Sequence, residues 1–201
     1  MSRASHVFVL SAGRTGTTTF ARAAAALPGF TAGHESRAEA HLAERLDYPD
    51  RHIEADNRLV FFLPQLEARF GPRAHYVYLR REPAEIAASY ARRWHLTVSI
   101  PRAFTQGVRM RPRTRRGEVT AACRDYADWV DSTVSLFLAS QRHAMVVDLA
   151  EAEAGFARVA EWIGAGEVPQ AARDAWGERH NATPPRRLGR GLRHQLRLLV
   201  P

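Results

Sequence analysis

The stretch from Val7 to Phe20 constrains the fold of this chain more than any other. Four apolar residues, Val7–Leu10, predict a short buried strand, and Ser11–Gly16 predict a tight turn. The residues Thr17–Leu27 are alanine-rich with a single charge, and they predict a helix that Pro28 and Gly29 end. Such a strand, turn and helix start direct free backbone N–H groups and the positive end of a helix dipole at one point. The stretch is therefore predicted to bind a phosphate group.

The turn differs from the Walker phosphate-binding loop, GxxxxGK[ST]. Its second glycine, Gly16, comes three positions after Gly13, and no lysine follows. The chain has no lysine at all, since all 29 residues of the Lys and Arg class are arginine. Because a kinase or ATPase needs the loop lysine on its phosphates, that chemistry is disfavoured. Arg14 stands in the loop instead, and Thr15, Gly16, Thr17 and Thr18 follow it.

Length and composition predict a single domain over residues 1–201 with a sizeable core. The apolar content of 45% and the charged content of 25% are typical of soluble globular proteins. The absence of a long apolar run and of an N-terminal signal pattern predicts a cytoplasmic protein without a membrane span. The single cysteine, Cys123, excludes an internal disulfide and a cysteine-based metal site. The net charge of +8 favours anionic ligands, either a phosphorylated nucleotide or a nucleic acid.

A second strand is predicted at residues 30–33, and it ends at His34 and Glu35. Strand ends line the ligand crevice in α/β sheets, which makes these two residues site candidates. Residues 36–46 are predicted to be helical, since apolar residues recur at four-residue spacing. A capped helix start with Glu35 in its first turn is the structural alternative. Farther on, Glu54 and Asn57 precede a predicted apolar helix. They either cap that helix or face an acceptor, and the capping role is favoured.

Residues 74–79 predict a central strand that leads into a second phosphate motif. Pro83 suits the first turn of the next helix. Ser89 lies roughly two helical turns beyond Arg81, so the strand-end arginine and the helix serine can converge on one phosphate. Arg80, directly before Arg81, is an alternative for the same role.

Both motifs resemble those of the sulfotransferases that use 3′-phosphoadenosine 5′-phosphosulfate (PAPS), and the resemblance covers about residues 6–164. The family's 5′-phosphosulfate loop is Lys/Arg-Ser/Thr-Gly-Thr-Thr, which Arg14–Thr18 match. Its 3′-phosphate motif is Arg-Asx-Pro-x-Asp/Glu-x-x-x-Ser. The chain matches this motif at Arg81, Pro83, Glu85 and Ser89, with Glu82 in place of Asx.

The resemblance implies a role for each candidate residue. Backbone N–H groups of Thr15–Thr18 would hold the 5′-phosphate, and Arg14 would neutralise charge on the departing oxygen. Arg81 and Ser89 would bind the 3′-phosphate. Members similar to the tyrosylprotein type carry Gly-Glu-Glu-Thr-Arg after the second strand, and its second Glu is the catalytic base. Glu35 takes that position and His34 replaces the first Glu, so both are candidates for the base.

The resemblance implies an α/β three-layer sandwich with a central parallel sheet and a P-loop-like turn, of the bacterial sulfotransferase type. The alternation of strands and helices along the chain independently predicts such a parallel sheet. The implied activity is sulfuryl transfer from PAPS, which leaves 3′-phosphoadenosine 5′-phosphate (PAP). The acceptor is a hydroxyl or amine of a carbohydrate, a lipid-linked molecule or a small molecule, and no metal is required. The sequence specifies neither the acceptor nor the oligomeric state.

Two other functions stay open at this level. One is a nucleotide or metabolite kinase with a variant loop, and the other is a non-enzymatic nucleic-acid-binding protein. The second would use the arginines of residues 102–116 and 186–197, but few aromatic residues interleave with them, so nucleic acid is not expected. Residues 95–117 are predicted to be a mobile basic loop. The basic C-terminal segment 181–201 folds back on the nucleotide or forms a basic tail, with Arg186, Arg187 and Arg190 as its candidate contacts.

Overall fold

The computed structural model describes residues 4–177, so the predictions for the C-terminal segment 181–201 lie outside the described residues. The described residues divide into two compact units, one formed by 4–81 with 130–177 and the other by Glu82–Trp129. The first unit contains a five-stranded sheet in the order β2-β3-β1-β4-β5, and every neighbouring pair is parallel. The strands are β1 His6–Leu10, β2 Thr31–His34, β3 His52–Ala55, β4 Ala74–Arg80 and β5 Ala144–Asp148.

Helices flank this sheet, as the alternation of elements predicts. The first unit contains α1 Thr17–Ala24, α2 Leu42–Arg45, α3 Leu63–Phe70, α7 Ala152–Trp162 and α8 Gln170–Gly177. The second unit contains α4 Pro83–Ala91 and α5 Ile100–Ala103, and the long helix α6, Val119–Leu138, contributes residues to both units. The α/β fold with a central parallel sheet is therefore confirmed.

Alternate side chains of β1 enter two separate apolar layers. Val7 joins the layer built with α1 and α7, where the rings of Phe20 and Phe156 meet edge-on at 5.1 Å. Phe8 faces the other layer and contacts the ring of Phe70 at a centroid distance of 4.9 Å. All five residues of β1 are buried because both faces of the sheet are covered. Burial of each large apolar side chain stabilises the fold by about 1.5–3 kcal/mol.

Several predicted elements match the structure closely. The strand, turn and helix around the first phosphate motif are confirmed as β1 and α1. Pro83 stands in the first turn of α4, as predicted. Pro64 splits the segment before β4, because a 3₁₀ turn at Asn57–Phe61 ends there and α3 then begins with Pro64 in its first turn.

Three predictions need correction. Residues 36–46 are not one helix, since only the four residues of α2 are helical and turns precede them. The sequence interpretation missed β3 entirely. Two of its four residues, His52 and Glu54, are polar, yet the strand is fully buried. The apolar run at residues 143–149 predicts a buried strand, but β5 lies at the edge of the sheet, and Val147 is its only buried residue.

The basic segment of the second unit contains regular structure where a loop was predicted. The helix α5 continues into a π-helical turn, Phe104–Val108. Phe104 is buried, and its ring packs against those of Tyr126 and Trp129 at 5.7 and 5.3 Å. Among residues 4–177, no helix has the length and apolar character needed to cross a membrane.

Candidate active site

The loop between β1 and α1 has the backbone geometry of a phosphate cradle. Gly13, Arg14 and Gly16 all have positive φ angles, of 77°, 61° and 83°. At Gly16 a Cβ atom would also lie 3.1 Å from the Cδ1 atom of Leu149, so the position favours glycine twice over. The hydroxyl of Ser11 accepts a hydrogen bond from the backbone N–H of Gly13 at 3.0 Å and fixes the start of the turn.

The start of α1 is suited to an anionic group. Gly16 is its N-cap, no side chain within the described residues caps it, and no acidic residue stands in its first turn. Its first N–H groups and the positive end of its dipole therefore face the loop without a protein carboxylate to neutralise them. The hydroxyl of Thr15 is buried and has no hydrogen-bond partner within residues 4–177. An orphaned donor beside an uncapped helix start fits a phosphate ligand.

Arg81, at the end of β4, reaches the same loop. Its Nη1 atom donates a hydrogen bond to the carbonyl of Arg14 at 3.0 Å. Arg80 turns away and forms a bidentate ion pair with Asp148 at 2.8 and 3.1 Å. The hydrogen bonds from Arg80 lower the pKa of Asp148 below its usual value. The geometry thus assigns the loop contact to Arg81 and a pairing role to Arg80.

Ser89 lies on α4 within the second unit. Its side chain is buried, and α4 carries Glu85 in its first turn as the sequence predicts. Its partnership with Arg81 on one phosphate stays a prediction.

His34, at the end of β2, contacts the first turn of α1. Its Nε2 atom lies 3.1 Å from the hydroxyl of Thr17 and 3.3 Å from the hydroxyl of Thr18. The end of β2 and the phosphate loop are therefore joined by hydrogen bonds, as expected for strand ends that share one edge of a parallel sheet.

Glu35 follows His34 and opens onto a polar cavity of about 460 Å³. Its backbone is in the left-handed region, with φ 54°, and its N–H donates to the carbonyl of Ala55 at 3.1 Å. One third of its side chain is exposed, and Oε2 accepts a hydrogen bond from Nη2 of Arg58 at 2.9 Å. The cavity is lined by His34, Glu35, Ser36, Arg37, Ala38, Glu39, Ala40 and Arg58.

Glu54, on β3, fixes the turn that carries Glu35. Its buried carboxylate accepts hydrogen bonds from the N–H and hydroxyl of Ser36 at 2.8 and 2.5 Å and from Nε2 of His52 at 3.0 Å. Burial alone would raise the pKa of Glu54, but the bonds from His52 and Ser36 bring it below its usual value. A Cβ atom at Gly33 would collide with this carboxylate. These bonds hold Ser36 against β3, and the residues that follow it form turns.

A buried charge cluster lies at the end of β3. Asp56 is fully buried and accepts hydrogen bonds from a guanidinium nitrogen of Arg45 and, at 2.7 Å, from the backbone N–H of Arg58. The second nitrogen of Arg45 donates to the hydroxyl of Tyr48 at 2.9 Å. Burial raises the pKa of Asp56 above its usual value, and the bonds from both arginines oppose that rise.

Solved structures with this architecture were found by comparison. The sulfotransferase domain from the curacin biosynthetic pathway matches with a TM-score of 0.63 and 12% sequence identity, over 91% of this chain and 82% of that domain. The fold is that of a sulfotransferase domain. The mouse sulfotransferase SULT7A1, solved in complex with PAP, matches with a TM-score of 0.57 and 14% identity over 87% of this chain. The match spans 65% of that enzyme. No protein-family model and no curated protein matches the sequence.

The sulfotransferase fold brings most of the predicted site residues to one edge of the sheet in the first unit. They are Arg14, Thr15, Gly16, Thr17, Thr18, His34, Glu35 and Arg81. Sequence reasoning missed Arg58 and Arg45. The one indication in the sequence is Asp56, a residue type that suits a helix cap, and Asp56 is the N-cap of the 3₁₀ turn. Within the described part of the chain, no group of three or more His, Cys, Asp or Glu side chains is placed to hold a metal ion.

Proposed function

We propose that the protein is a sulfotransferase that moves a sulfuryl group from PAPS to a hydroxyl or amine. The observation that carries the proposal is the loop at residues 11–18. Among the described residues no side chain caps the helix start there, the Thr15 hydroxyl has no hydrogen-bond partner, and Arg81 is hydrogen-bonded to the loop backbone. The likeness to sulfotransferase domains supports the same conclusion at the level of the fold.

The residues that would hold the donor follow from the loop. Backbone N–H groups of Thr15–Thr18 bind the 5′-phosphate, and the hydroxyl of Thr15, which has no partner within residues 4–177, fits a phosphate oxygen. Arg81 binds the 3′-phosphate, and Ser89 is assigned to that phosphate by the sequence motif. When bound, PAPS supplies the sulfuryl group and a leaving phosphate.

Arg14 and Glu35 perform the remaining work in this proposal. Arg14 is always charged, so it stabilises negative charge that develops at the loop and does not act as a proton donor. Glu35 accepts the proton of the acceptor hydroxyl or amine, a contribution of about 10²–10⁴-fold for a positioned base. His34 is the second candidate for this base, but its Nε2 atom lies against the hydroxyls of Thr17 and Thr18. We therefore assign proton transfer to Glu35.

The acceptor is proposed to be a small molecule or a glycan that enters the polar cavity beside Glu35. We further propose that the protein acts in the cytoplasm. Its single cysteine, Cys123, is buried, and burial raises the pKa of its thiol to about 11.

A thermal-shift titration tests the proposal. It compares the rise in melting temperature with PAP with the rise with ATP and with AMP, each measured with and without Mg²⁺. Ligand at about 100 times its dissociation constant stabilises by ~2.7 kcal/mol, which raises the midpoint of a chain of this size by roughly 5–10 °C. We expect this rise with PAP alone, independent of Mg²⁺, and a smaller one in Arg81→Ala. No rise with PAP, or a larger one with Mg-ATP, would overturn the proposal in favour of a kinase.

A further inference from the structure

A continuous chain of charged groups joins the buried interior to Glu35. Arg45 donates to one oxygen of Asp56, and the other oxygen receives the backbone N–H of Arg58 at 2.7 Å. Nη1 of Arg58 lies 3.5 Å from that same oxygen, and its Nη2 reaches Oε2 of Glu35 at 2.9 Å. Four alternating charges therefore lead from the buried guanidinium of Arg45, through Asp56 and Arg58, to the carboxylate of Glu35 at the cavity.

The register of the sheet explains why these charged groups can lie next to one another. The strands β2 and β3 are parallel neighbours, and His34 is paired with Ala55. The next residue on each strand is Glu35 on one side and Asp56 on the other, so their side chains leave the sheet at adjacent strand ends. Arg58 spans the gap between them.

The inner end of this series of charges is buried, and its outer end is partly exposed. The side chains of Asp56 and Arg45 are 0% and 3% exposed, whereas those of Arg58 and Glu35 are 34% and 33% exposed. A buried carboxylate held by two guanidinium groups has one orientation, because loss of either partner would leave a charge unpaired in the interior. Asp56 can thus fix Arg58, and Arg58 can fix a carboxylate that would otherwise change rotamer in the open cavity.

We infer that Asp56 and Arg58 are positioning residues that hold the carboxylate of Glu35 toward the acceptor. The inference rests on the proposed function, in which Glu35 is the base. Neither residue needs to touch the reacting atoms for this role. Their effect reaches the reaction through Glu35 alone, and this property separates positioning from a direct catalytic contribution.

A double-mutant cycle tests the inference with sulfuryl transfer from PAPS as the readout. Arg58→Ala is expected to lower kcat by about tenfold to a hundredfold, a part of the 10²–10⁴-fold that a positioned base supplies. Glu35→Gln should lower kcat at least as much, and the double variant Glu35→Gln/Arg58→Ala should be no slower than Glu35→Gln. Added guanidinium ion or Arg58→Lys should restore part of the lost rate. The rise in melting temperature with PAP should stay as in the wild type.

The variant Asp56→Asn extends the test to the buried end of the series of charged groups. It should lower kcat by about tenfold while preserving the PAP response, whereas Asp47→Asn is a matched control in the same unit. Asp47 pairs with Arg69 at 2.6 Å, but it is exposed and does not line the cavity. The kcat of Asp47→Asn should therefore equal that of the wild type. If Asp56→Asn does not fold, the Arg58 cycle decides alone.

Two results would overturn the inference while leaving the proposed function intact. One is a kcat of Arg58→Ala within twofold of the wild type. The other is an Arg58→Ala change that lowers kcat by the same factor in the Glu35→Gln background as in the wild type. Absence of both turnover and a PAP response in the wild type would instead overturn the proposed function, and the inference with it.

Discussion

Two candidate catalytic residues have a backbone conformation that side chains rarely adopt. Arg14 and Glu35 have φ angles of 61° and 54°, and only Arg51 and Met110 share this property among the described residues other than glycine. The left-handed conformation costs roughly 1–2 kcal/mol per residue, and such residues cluster at functional sites. One of these two residues lies in the phosphate loop and the other in the turn that lines the cavity.

Replacement by glycine separates the cost of this conformation from the work of the side chain. In Arg14→Gly and Glu35→Gly the free energy of unfolding should stay within about 1 kcal/mol of the wild type, because relief of strain offsets the greater entropy of the unfolded chain. Turnover should fall at least about 100-fold. Urea denaturation and a sulfuryl-transfer assay measure the two effects, and Met110→Gly gives the stability change at an exposed position of similar φ. Near wild-type turnover in either variant would contradict the assigned role.

At the scale of elements, β3 is the strand that could not be predicted from the sequence. The phosphate loop and α4 were predictable because their glycine, proline and arginine residues act locally in the chain. The strand β3 was not, since His52 and Glu54 are polar and only their partners on β2 and in the turn after it make burial possible. Those partners are Thr31 on β2, 2.8 Å from Nδ1 of His52, and Ser36 in the turn. Arg58 was missed for the same reason, because its contact with Glu35 depends on the register of two strands.

Glu54 should be a major stabilising residue of this part of the sheet. Glu54→Ala leaves His52 and Ser36 without their buried partner, so we expect a loss of about 3 kcal/mol in the free energy of unfolding. Urea denaturation measures the loss, and Glu67→Ala, at an exposed position on α3, should change it little. Because the pKa of Glu54 is lowered on folding, its contribution is present above the usual glutamate range and is lost as the pH falls below it. A loss that is equal at neutral and at strongly acidic pH would contradict this account.

The start of β4 should make folding sensitive to moderate acid. His75 is buried and its ring stacks on that of His143 at 4.3 Å. Burial, with a smaller effect of His143, lowers the pKa of His75 from 6.5 to about 4. The unfolded chain therefore binds a proton that the folded chain does not, and stability falls as the pH decreases from about 6.5 toward 4.

The variant His75→Phe should reduce this acid sensitivity. At pH 5 the protonation of His75 in the unfolded chain lowers the stability of the wild type by about 2 kcal/mol relative to neutral pH, and the variant should lack that part of the decrease. Urea titrations at several pH values measure the slope, with His41→Asn as a control at an exposed histidine. Equal slopes for the wild type and His75→Phe would show that His75 does not contribute.

At the scale of the whole molecule, the charge is strongly segregated along the chain. Residues 92–117 contain eight arginines and no acidic residue, which equals the net charge of +8. The rest of the sequence is balanced, with 21 arginines against 21 acidic residues. In this segment Arg109 pairs with Asp125 at 2.7 Å and Arg111 pairs with Glu118 at 3.3 Å. Within this segment every residue from 106 to 117 except Thr114 is exposed.

This segment should dominate any non-specific affinity for polyanions. The triple variant Arg113→Gln/Arg115→Gln/Arg116→Gln should bind duplex DNA more weakly and reduce the slope of log affinity against log salt by up to about three. Removal of three exposed arginines elsewhere, in Arg142→Gln/Arg158→Gln/Arg173→Gln, is the matched control and should change the slope less. Fluorescence anisotropy over a salt series measures both. A larger effect of the control would place the affinity outside the segment.

The strand order has a consequence for how this site can change over time. Arg14, Glu35, Arg58 and Arg81 each follow a different strand, at intervals of 21 to 23 residues along the chain. Each lies on its own connection, so a change in one connection leaves the hydrogen bonds of the sheet in place. Insertions after β2 or β3 can therefore reshape the cavity beside Glu35 while the sheet keeps the connection after β1 at the same place. The architecture separates the part of the site that must persist from the part that is free to diversify.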